Sequence, residues 1–246
     1  MIESNNVTAA TSLSREPSPI VATDLFAAAR AANALRQTLT AERCVFSRSR
    51  RLLPSGVWQG PKDAADAFVE ENDLAALGGL EVAVAAGARA WVGSSMSMLQ
   101  KAHTLGLRTF LRIPYRAGED ADARQERLTV VNAAARAGLI SAAVLPTPSD
   151  EAMGLDTLSM FAMCRLHLSC EAVSADFGRL GHRLAQMALG VGANELFGPI
   201  VSERALRVGD NAHNPAMTRK EAAVFIRGAS LVPYERMAGG RLEEVF

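Results

Sequence analysis

The sequence predicts an α/β protein whose core is a partial or shrunken (β/α) barrel with about five parallel strands. Short apolar runs alternate with longer amphipathic segments along most of the chain, which is typical of parallel strands covered by helices. The chain has 246 residues, whereas a complete eight-fold barrel takes about 250 residues. Because the first segment is polar, we expect an incomplete barrel or an open sheet.

In the first half, helical periodicity is clearest after Asp24, where Leu25, Ala28, Ala32 and Leu35 form one apolar stripe. The predicted elements are, in order, a helix Asp24–Leu39, a strand Cys44–Ser47, a Pro- and Gly-containing loop over residues 50–66, helical structure from Ala64 to Gly87 broken at Gly78-Gly79, a strand Ala88–Val92, and a helix within residues 93–106.

The second half continues the alternation and ends with a capping box, Thr218-x-x-Glu221. The predicted elements are a strand Arg108–Ile113, a helix with an acidic start at Glu119–Asp122 that runs to Ala137, a strand Ile140–Leu145 ended by Pro146, a helix Thr157–Leu168, a strand Ala172–Ala175, a helix Phe177–Leu189 with Leu180, Leu184, Met187 and Ala188 inward, and a last helix ending at Gly228.

Composition narrows the classes of partner. Lys and Arg number 26, as do Asp and Glu, so the formal net charge is zero and no basic field attracts nucleic acid. No apolar run reaches the about 20 residues of a membrane-spanning helix. Residues 1–20 are polar and lack the apolar core of a signal peptide.

These observations predict a disordered leader over residues 1–20 and one domain over residues 21–246, with a helical extension at its C-terminal end. We expect a cytoplasmic protein that binds neither nucleic acid nor membrane. The three cysteines, Cys44, Cys164 and Cys170, are expected to be free thiols. An incomplete barrel leaves unpaired strand edges, which favours a homodimer.

The segment from Asp156 to Glu203 resembles the back half of a radical-SAM family that builds menaquinone and the deazaflavin cofactor. Its members are aminofutalosine synthase, the dehypoxanthine futalosine cyclase and the deazaflavin-ring synthases. The tail, with Pro233 to Arg236, is similar to the family's closing segment. The matches occur in the family's order at Cys164-Arg165-Leu166, Leu180-Gly181, Gly192-Ala193-Asn194-Glu195, Gly198-Pro199 and Glu203. The resemblance implies a fold derived from the radical-SAM TIM-type barrel.

The chain departs from this family where the family holds its [4Fe–4S] cluster. The family uses Cys-x3-Cys-x2-Cys after its first strand, and SAM chelates the fourth iron. Here Trp58 stands where the first cysteine is expected, and this spacing of cysteines is absent from the chain. The stretch between Trp58 and Thr109 is also too short for the family's strands two to five. We therefore expect no bound cofactor, neither SAM nor the cluster, and no metal.

Two functions follow from the resemblance, and whether the chain is an enzyme stays open. The first is a radical-SAM-like pseudoenzyme related to the futalosine route of menaquinone biosynthesis, which binds a small ligand or an intact radical-SAM paralogue. The alternative is a shortened or split radical-SAM transferase or cyclase of menaquinone biosynthesis. A new hydrolase or isomerase chemistry on the old scaffold has no nucleophile–base pair to support it.

Five residues are the candidates for ligand binding: Arg112, Arg165, Asn194, Glu195 and Glu203. The two arginines suit a carboxylate substrate, and an equally open interpretation is that they form structural salt bridges. The other three lie in a Gly-rich loop, where turn and capping roles compete with binding.

Two further histidine-containing segments have a structural interpretation as well. Cys164, His167 and Cys170 share a helical face, yet three ligands at spacings of three residues are not a common zinc geometry, so buried core positions are expected. His213, in a polar loop over residues 209–215, is interpreted as a solvated side chain rather than an acid–base group.

Overall fold

The computed structural model describes residues 24–149, 152, 154–201 and 216–246. The predicted leader, Glu203 and the loop with His213 therefore lie outside the described residues. The helices are α1 Leu25–Thr40, α2 Leu74–Leu77, α3 Leu80–Ala85, α4 Met96–Thr104, α5 Ala121–Arg136, α6 Gly154–His167, α7 Phe177–Gly190 and α8 Arg219–Arg227. The strands are β1 Arg43–Phe46, β2 Ser49–Leu52, β3 Trp58–Gln59, β4 Asp66–Glu70, β5 Ala90–Gly93, β6 Arg108–Tyr115, β7 Ala143–Pro148, β8 Ser174–Asp176, β9 Glu195–Phe197, β10 Ile200–Val201, β11 Met217–Thr218, β12 Val232–Arg236 and β13 Leu242–Glu244.

The strands form two large sheets whose neighbours are mostly parallel. One sheet has the order β3-β2-β4-β5-β6-β7 and the other β13-β12-β1-β9-β8, while β10 and β11 form a small parallel pair. The antiparallel pairs are the β2–β3 hairpin and β12–β13. This mixed α/β architecture with parallel sheets confirms the predicted fold class, and the described residues contain more strands than the about five that the pattern indicates.

The two sheets approach each other at two places. Ser47 and Arg48 alone separate β1 from β2, and an isolated bridge pairs Val144 in β7 with Val173, the residue before β8. Within the described part of the chain these links do not make one continuous closed barrel, which agrees with the expectation of an incomplete one.

The two faces of the sheets bury different apolar clusters. Helices cover one face, where the large core includes Trp91, Leu111 and Val144. On the opposite face, the ring of Phe197 in β9 lies 5.6 Å from Phe68 in β4 and 5.2 Å from Phe110 in β6, measured between ring centroids. Because these rings belong to different sheets, the sheets enclose a small aromatic interior, as the strands of a barrel do.

Most predicted helices are confirmed. The capping box of α8 is complete, since the Thr218 hydroxyl accepts from Glu221 N–H and the Glu221 carboxylate accepts from Thr218 N–H. Asp24 caps α1 through the N–H groups of Phe26 and Ala27. Among the described helices, none combines the length and the apolar character that crossing a bilayer requires.

Three predictions of local structure are wrong. The segment after Ala64 begins with the strand β4 instead of a helix. This strand pairs with β2 on one side and β5 on the other, and all five of its residues are buried. The strand β7 runs through Pro146 to Pro148; as the last strand of its sheet, it tolerates the missing N–H. Met187 is exposed, because Gly181 interrupts α7 at φ 72° and ψ 162° and changes which face is buried.

Candidate functional site

A cluster of charged side chains lies where strands of the two sheets end. Glu70 is the last residue of β4, Asp176 is the last residue of β8, and Arg112 on β6 reaches both. Arg112 Nη2 donates to Glu70 Oε1 at 2.9 Å, and Arg112 Nη1 donates to Asp176 Oδ2 at 2.9 Å. Together with Arg179 on α7, these residues are called the Arg112 cluster. In α/β proteins, ligands bind at the carboxyl ends of parallel strands.

Arg179 forms the solvent side of this cluster. Its Nη2 is 3.9 Å from Glu70 Oε2, and its Nε is 3.8 Å from Asp176 Oδ2, so both contacts are ion pairs beyond hydrogen-bonding distance. The Arg179 side chain is 47% exposed, whereas those of Arg112, Glu70 and Asp176 are 10% exposed or less. A ligand arriving from solvent therefore meets the Arg179 guanidinium and Glu70 Oε2 first.

Burial and charge oppose each other inside the cluster. Burial raises the pKa of Asp176, and the positive charge of Arg112 counteracts part of this rise. Burial acts to lower the pKa of Arg112, yet Glu70 and Asp176 more than compensate and raise it. Arg112 Nε is covered and has no hydrogen-bond partner among the described residues. The cluster thus holds a buried cation whose donors are not all used.

The aromatic interior forms the floor of the cluster. Phe68 and Phe110 lie two positions before Glu70 and Arg112 on their strands, so the alternation of side chains places each pair on one face. Asp176 pairs in register with Phe197. The charged groups therefore lie directly beside the buried aromatic rings.

The predicted site residue Glu195 belongs to a second polar network. Glu195 is the first residue of β9, two positions before Phe197, and its Oε2 accepts from Arg236 Nη2 at 2.9 Å. Asp66, the first residue of β4, pairs with Arg108 and with the Ser47 hydroxyl. These groups lie on the other side of the aromatic floor from the Arg112 cluster, since they precede the phenylalanines along their strands.

Arg165 and Asn194 lie close together and form hydrogen bonds that connect two parts of the fold. Arg165 Nη2 donates to Asn194 Oδ1 at 2.5 Å, and Arg165 Nε donates to the Gly192 carbonyl at 2.8 Å. Asn194 Oδ1 also accepts from Val173 N–H. Arg165 is buried, and burial lowers its pKa. These bonds tie α6 to the turn before β9, apart from the Arg112 cluster.

The sequence reasoning placed one of its five residues, Arg112, in this cluster and missed Glu70, Asp176 and Arg179. Asp176 carried a usable signal, because it directly follows a predicted strand and precedes a predicted helix. Glu70 could not be identified from the sequence, because its segment was interpreted as a helix and not as the end of a strand. The proposed ligand role of Arg112, Arg165, Asn194 and Glu195 stays a prediction.

The thiols do not fit an iron–sulfur cluster. Cys44 lies on β1 facing the large core, whereas Cys164 and Cys170 lie in and after α6, and all three are free. Burial raises the pKa of each thiol, that of Cys170 to about 11, so the thiolate that binds metal is disfavoured. Among the described residues, no group of three His, Cys, Asp or Glu side chains is placed to hold a metal ion.

The segment where the family's cysteines are expected forms a hairpin. β2 and β3 pair antiparallel with Leu52 opposite Trp58. Trp58 Nε1 donates to the Ala86 carbonyl at 3.3 Å, and the Arg50 guanidinium lies 4.5 Å from the centre of the Trp58 ring. Trp58 thus anchors this hairpin to the segment after α3.

The curated proteins similar to this chain that are described below all carry the same enzyme name. No protein-family profile matches the chain. The chain is 25% identical over 176 residues to 5-amino-6-(D-ribitylamino)uracil–L-tyrosine 4-hydroxyphenyl transferase 1 of Methanosarcina acetivorans, covering 61% of this chain and 47% of that enzyme. It is 35% identical over 85 residues to the Methanosarcina barkeri enzyme, covering 34% and 23%, and 30% identical over 87 residues to the Methanocaldococcus jannaschii enzyme, covering 35% and 24%.

The chain thus spans about half the length, or less, of the curated relatives that it matches. These relatives are radical-SAM enzymes of the deazaflavin pathway, so the matches point to relatives in that pathway rather than in menaquinone biosynthesis. Among solved structures, methylornithine synthase matches with a TM-score of 0.58 at 10% identity, covering 85% of this chain and 89% of that one. This match shows that the two proteins share a fold, and the sequence matches support a relation to the radical-SAM enzymes.

Proposed function

We propose that the chain is a non-catalytic relative of the deazaflavin-pathway radical-SAM enzymes that binds a small ligand at the Arg112 cluster. The observation that carries this proposal is the buried Glu70–Arg112–Asp176 arrangement at the carboxyl ends of β4 and β8. Buried ion pairs are costly and contribute little stability by themselves, so such a group at this end of the sheets supports a binding role.

The charges indicate a ligand with both a carboxylate and an ammonium group. The exposed Arg179 guanidinium suits a carboxylate, and Glu70 Oε2, 3.9 Å from it, suits an ammonium. The names of the relatives specify L-tyrosine and 5-amino-6-(D-ribitylamino)uracil. L-Tyrosine carries both charged groups, so it is the first ligand to test, and the uracil compound is the second.

Isothermal titration calorimetry with each compound tests the binding proposal. We expect L-tyrosine to bind and Arg179→Gln to weaken its binding about tenfold or more, because a charge-assisted contact is lost. The matched control is Arg183→Gln, an exposed arginine on the same helix, which should leave the affinity unchanged. If both compounds fail to bind with a Kd below about 1 mM, the ligand proposal is wrong.

The non-catalytic part of the proposal has a separate test. Anaerobic reconstitution with iron and sulfide, followed by iron and sulfide analysis and a SAM titration, should give neither a stoichiometric cluster nor SAM binding. Cys44 and Cys164 are buried, Cys170 is partly buried, and the described residues hold no group of three metal-ligand side chains. An intact relative treated in parallel is the positive control. A stoichiometric [4Fe–4S] cluster would return the protein to the active radical-SAM enzymes.

A second candidate function is one part of a two-chain radical-SAM enzyme. The observation that favours it is the coverage, since this chain matches 47% of the Methanosarcina acetivorans enzyme. Co-expression with the product of an adjacent reading frame that carries Cys-x3-Cys-x2-Cys should then give a stable complex. Light scattering of the co-expressed complex and of the purified chain alone distinguishes a two-chain complex from the expected homodimer.

A further inference from the structure

One of the two large sheets ends in a strand whose outer edge is open. This strand is β13, Leu242–Glu244, which pairs antiparallel with β12 and comes last in the order β13-β12-β1-β9-β8. Among the described residues, no strand pairs with its outer side. An open edge presents N–H and C=O groups to which the strand of another chain can pair.

Two residues of β13 direct their backbone groups toward this open edge. In an antiparallel pair, every second residue bonds to the neighbouring strand. Arg241 C=O accepts from a backbone N–H that follows β12, and Val245 N–H donates to a β12 carbonyl. Because residues 241, 243 and 245 thus bond toward β12, the N–H and C=O groups of Leu242 and Glu244 face away from it.

The side chains along this edge carry one charge of each sign on one face. Arg241 and Glu243 lie on the same face, since side chains alternate along a strand, and Arg241 Nη2 donates to Glu243 Oε1. Their side chains are 74% and 36% exposed, so both are accessible to a partner. Leu242, between them, is partly exposed on the other face. Like charges usually keep an edge strand from pairing, whereas this edge is complementary to itself.

We propose that β13 pairs with β13 of a second copy of this chain, antiparallel about a twofold axis through Leu242. In this register Arg241 lies opposite the partner's Glu243, and Glu244 lies opposite the partner's Gly240. Side chains directly opposite each other are about 4.5–5.5 Å apart between Cβ atoms, so two symmetry-related charge pairs form. Two N–H···O=C bonds join the Leu242 residues, and the two five-stranded sheets become one continuous sheet.

The charges select this register over its neighbours. The backbone directions allow pairing only where Leu242 lies opposite residue 240, 242 or 244 of the partner. The first register puts Arg241 opposite itself and the last puts Glu243 opposite itself, and like charges directly opposite are destabilising. The strand has three residues, so the interface is small. We therefore expect a reversible dimer with a Kd between about 1 µM and about 1 mM.

Sedimentation equilibrium of the full chain, from about 5 µM to about 1 mM, tests whether the dimer forms. We expect the average mass to rise with concentration from that of one chain toward that of two. A single chain at every concentration up to about 1 mM overturns the proposal.

Charge exchange tests the register. Arg241→Glu and Glu243→Arg should each weaken the dimer about tenfold or more, because each places like charges opposite each other across the axis. The double variant Arg241→Glu/Glu243→Arg should recover the wild-type Kd, since it exchanges the two signs. The control is Arg30→Glu, exposed on α1, which changes the net charge as much as Arg241→Glu. Equal weakening by this control, or a dimer that neither single variant weakens, would refute the interface.

A backbone variant tests the strand pairing itself. Leu242→Pro removes the N–H that faces the open edge and retains the N–H groups that bond to β12, and proline is tolerated on edge strands. We expect an unchanged circular dichroism spectrum and a single chain at about 1 mM. A folded variant that still dimerises would refute pairing through β13, and if this variant does not fold, the charge exchange decides.

Discussion

Arg112 Nη1 donates to Asp176 Oδ2 at 2.9 Å, and the two residues are 64 positions apart in the chain. This bond joins β6 of one sheet to β8 of the other. Arg112 also holds Glu70 at the end of β4, so one side chain links three strands. The same contact that neutralises the cluster therefore also holds the two sheets together at their carboxyl ends.

Replacing Arg112 tests this linkage. Arg112→Gln leaves two buried carboxylates without their main cation, and removal of one partner from a buried ion pair costs about 3–5 kcal/mol. We expect a loss of that size in the free energy of unfolding, measured with urea at pH 7. Arg30→Gln, exposed on α1, should change it by less than about 0.5 kcal/mol. Equal changes in the free energy of unfolding for the two variants would show that the Arg112 ion pairs do not stabilise the protein.

The decrease in the free energy of unfolding caused by Arg112→Gln should depend on pH. Burial raises the pKa of Asp176 in the folded protein above its value in the unfolded chain. Protonation of Asp176 therefore favours the folded state, and this contribution to the free energy of unfolding is complete below the unfolded pKa of about 3.9. That stability is lost as the pH rises through the folded-state value. Without Arg112 the carboxyl protonates more readily, and the difference from wild type should shrink as the pH falls from 7 toward 4. A difference that stays constant over this range would contradict the buried-charge explanation.

Arg165 is expected to matter for stability and not for ligand binding. Arg165→Lys removes the planar donors that reach the Gly192 carbonyl and Asn194 Oδ1, so the free energy of unfolding should fall by about 2–4 kcal/mol. The affinity of the folded protein for L-tyrosine should stay at the wild-type value. A weakened affinity with unchanged stability would instead restore the ligand role that the sequence indicates.

Gly192 is expected to be intolerant of a side chain. Its φ is +123°, and an added Cβ lies 2.9 Å from Arg165 Cβ, so Gly192→Ala combines backbone strain with a clash. We expect destabilisation by about 1–3 kcal/mol in thermal or urea unfolding. The matched control is Gly190→Ala, two residues earlier, where nothing lies within 4 Å. This variant should be neutral or slightly stabilising.

The ion pair between Glu119 and Arg127 should contribute stability at neutral pH and lose it in acid. The hydrogen bond from Arg127 holds the pKa of Glu119 below its usual value. Its contribution is therefore present above the unfolded pKa of about 4.3 and is lost as the pH falls through the folded-state value. Glu119→Gln should cost at most about 1 kcal/mol at pH 7, and the difference should vanish near pH 3. Glu126→Gln, exposed on α5, is the control.

Local patterns predicted most helices correctly because their signals lie within a few residues of one another. The capping box at Thr218 and Glu221 is an example, since both partners of each bond belong to the same turn. The strand β4 was missed for the opposite reason. It lies between β2 and β5, and all five of its residues are buried. Phe68 packs in the interior cluster and Val69 in the large core, so both faces of the strand are covered by segments that are distant in the sequence.

The sequence by itself determined the α/β class, the absence of the cysteine spacing that a radical-SAM cluster needs, and the resemblance to a radical-SAM family. Each of these depends on composition, on short periodicities or on the order of motifs. Only the tertiary structure decided that Arg112 lies between Glu70 and Asp176, whereas Arg165 and Asn194 form a structural tie. The physical reason is that an ion pair depends on distance in space. Glu70, 42 positions from Arg112, becomes its partner when β4 and β6 join the same sheet, and Asp176, 64 positions away, becomes its partner only when the two sheets come together.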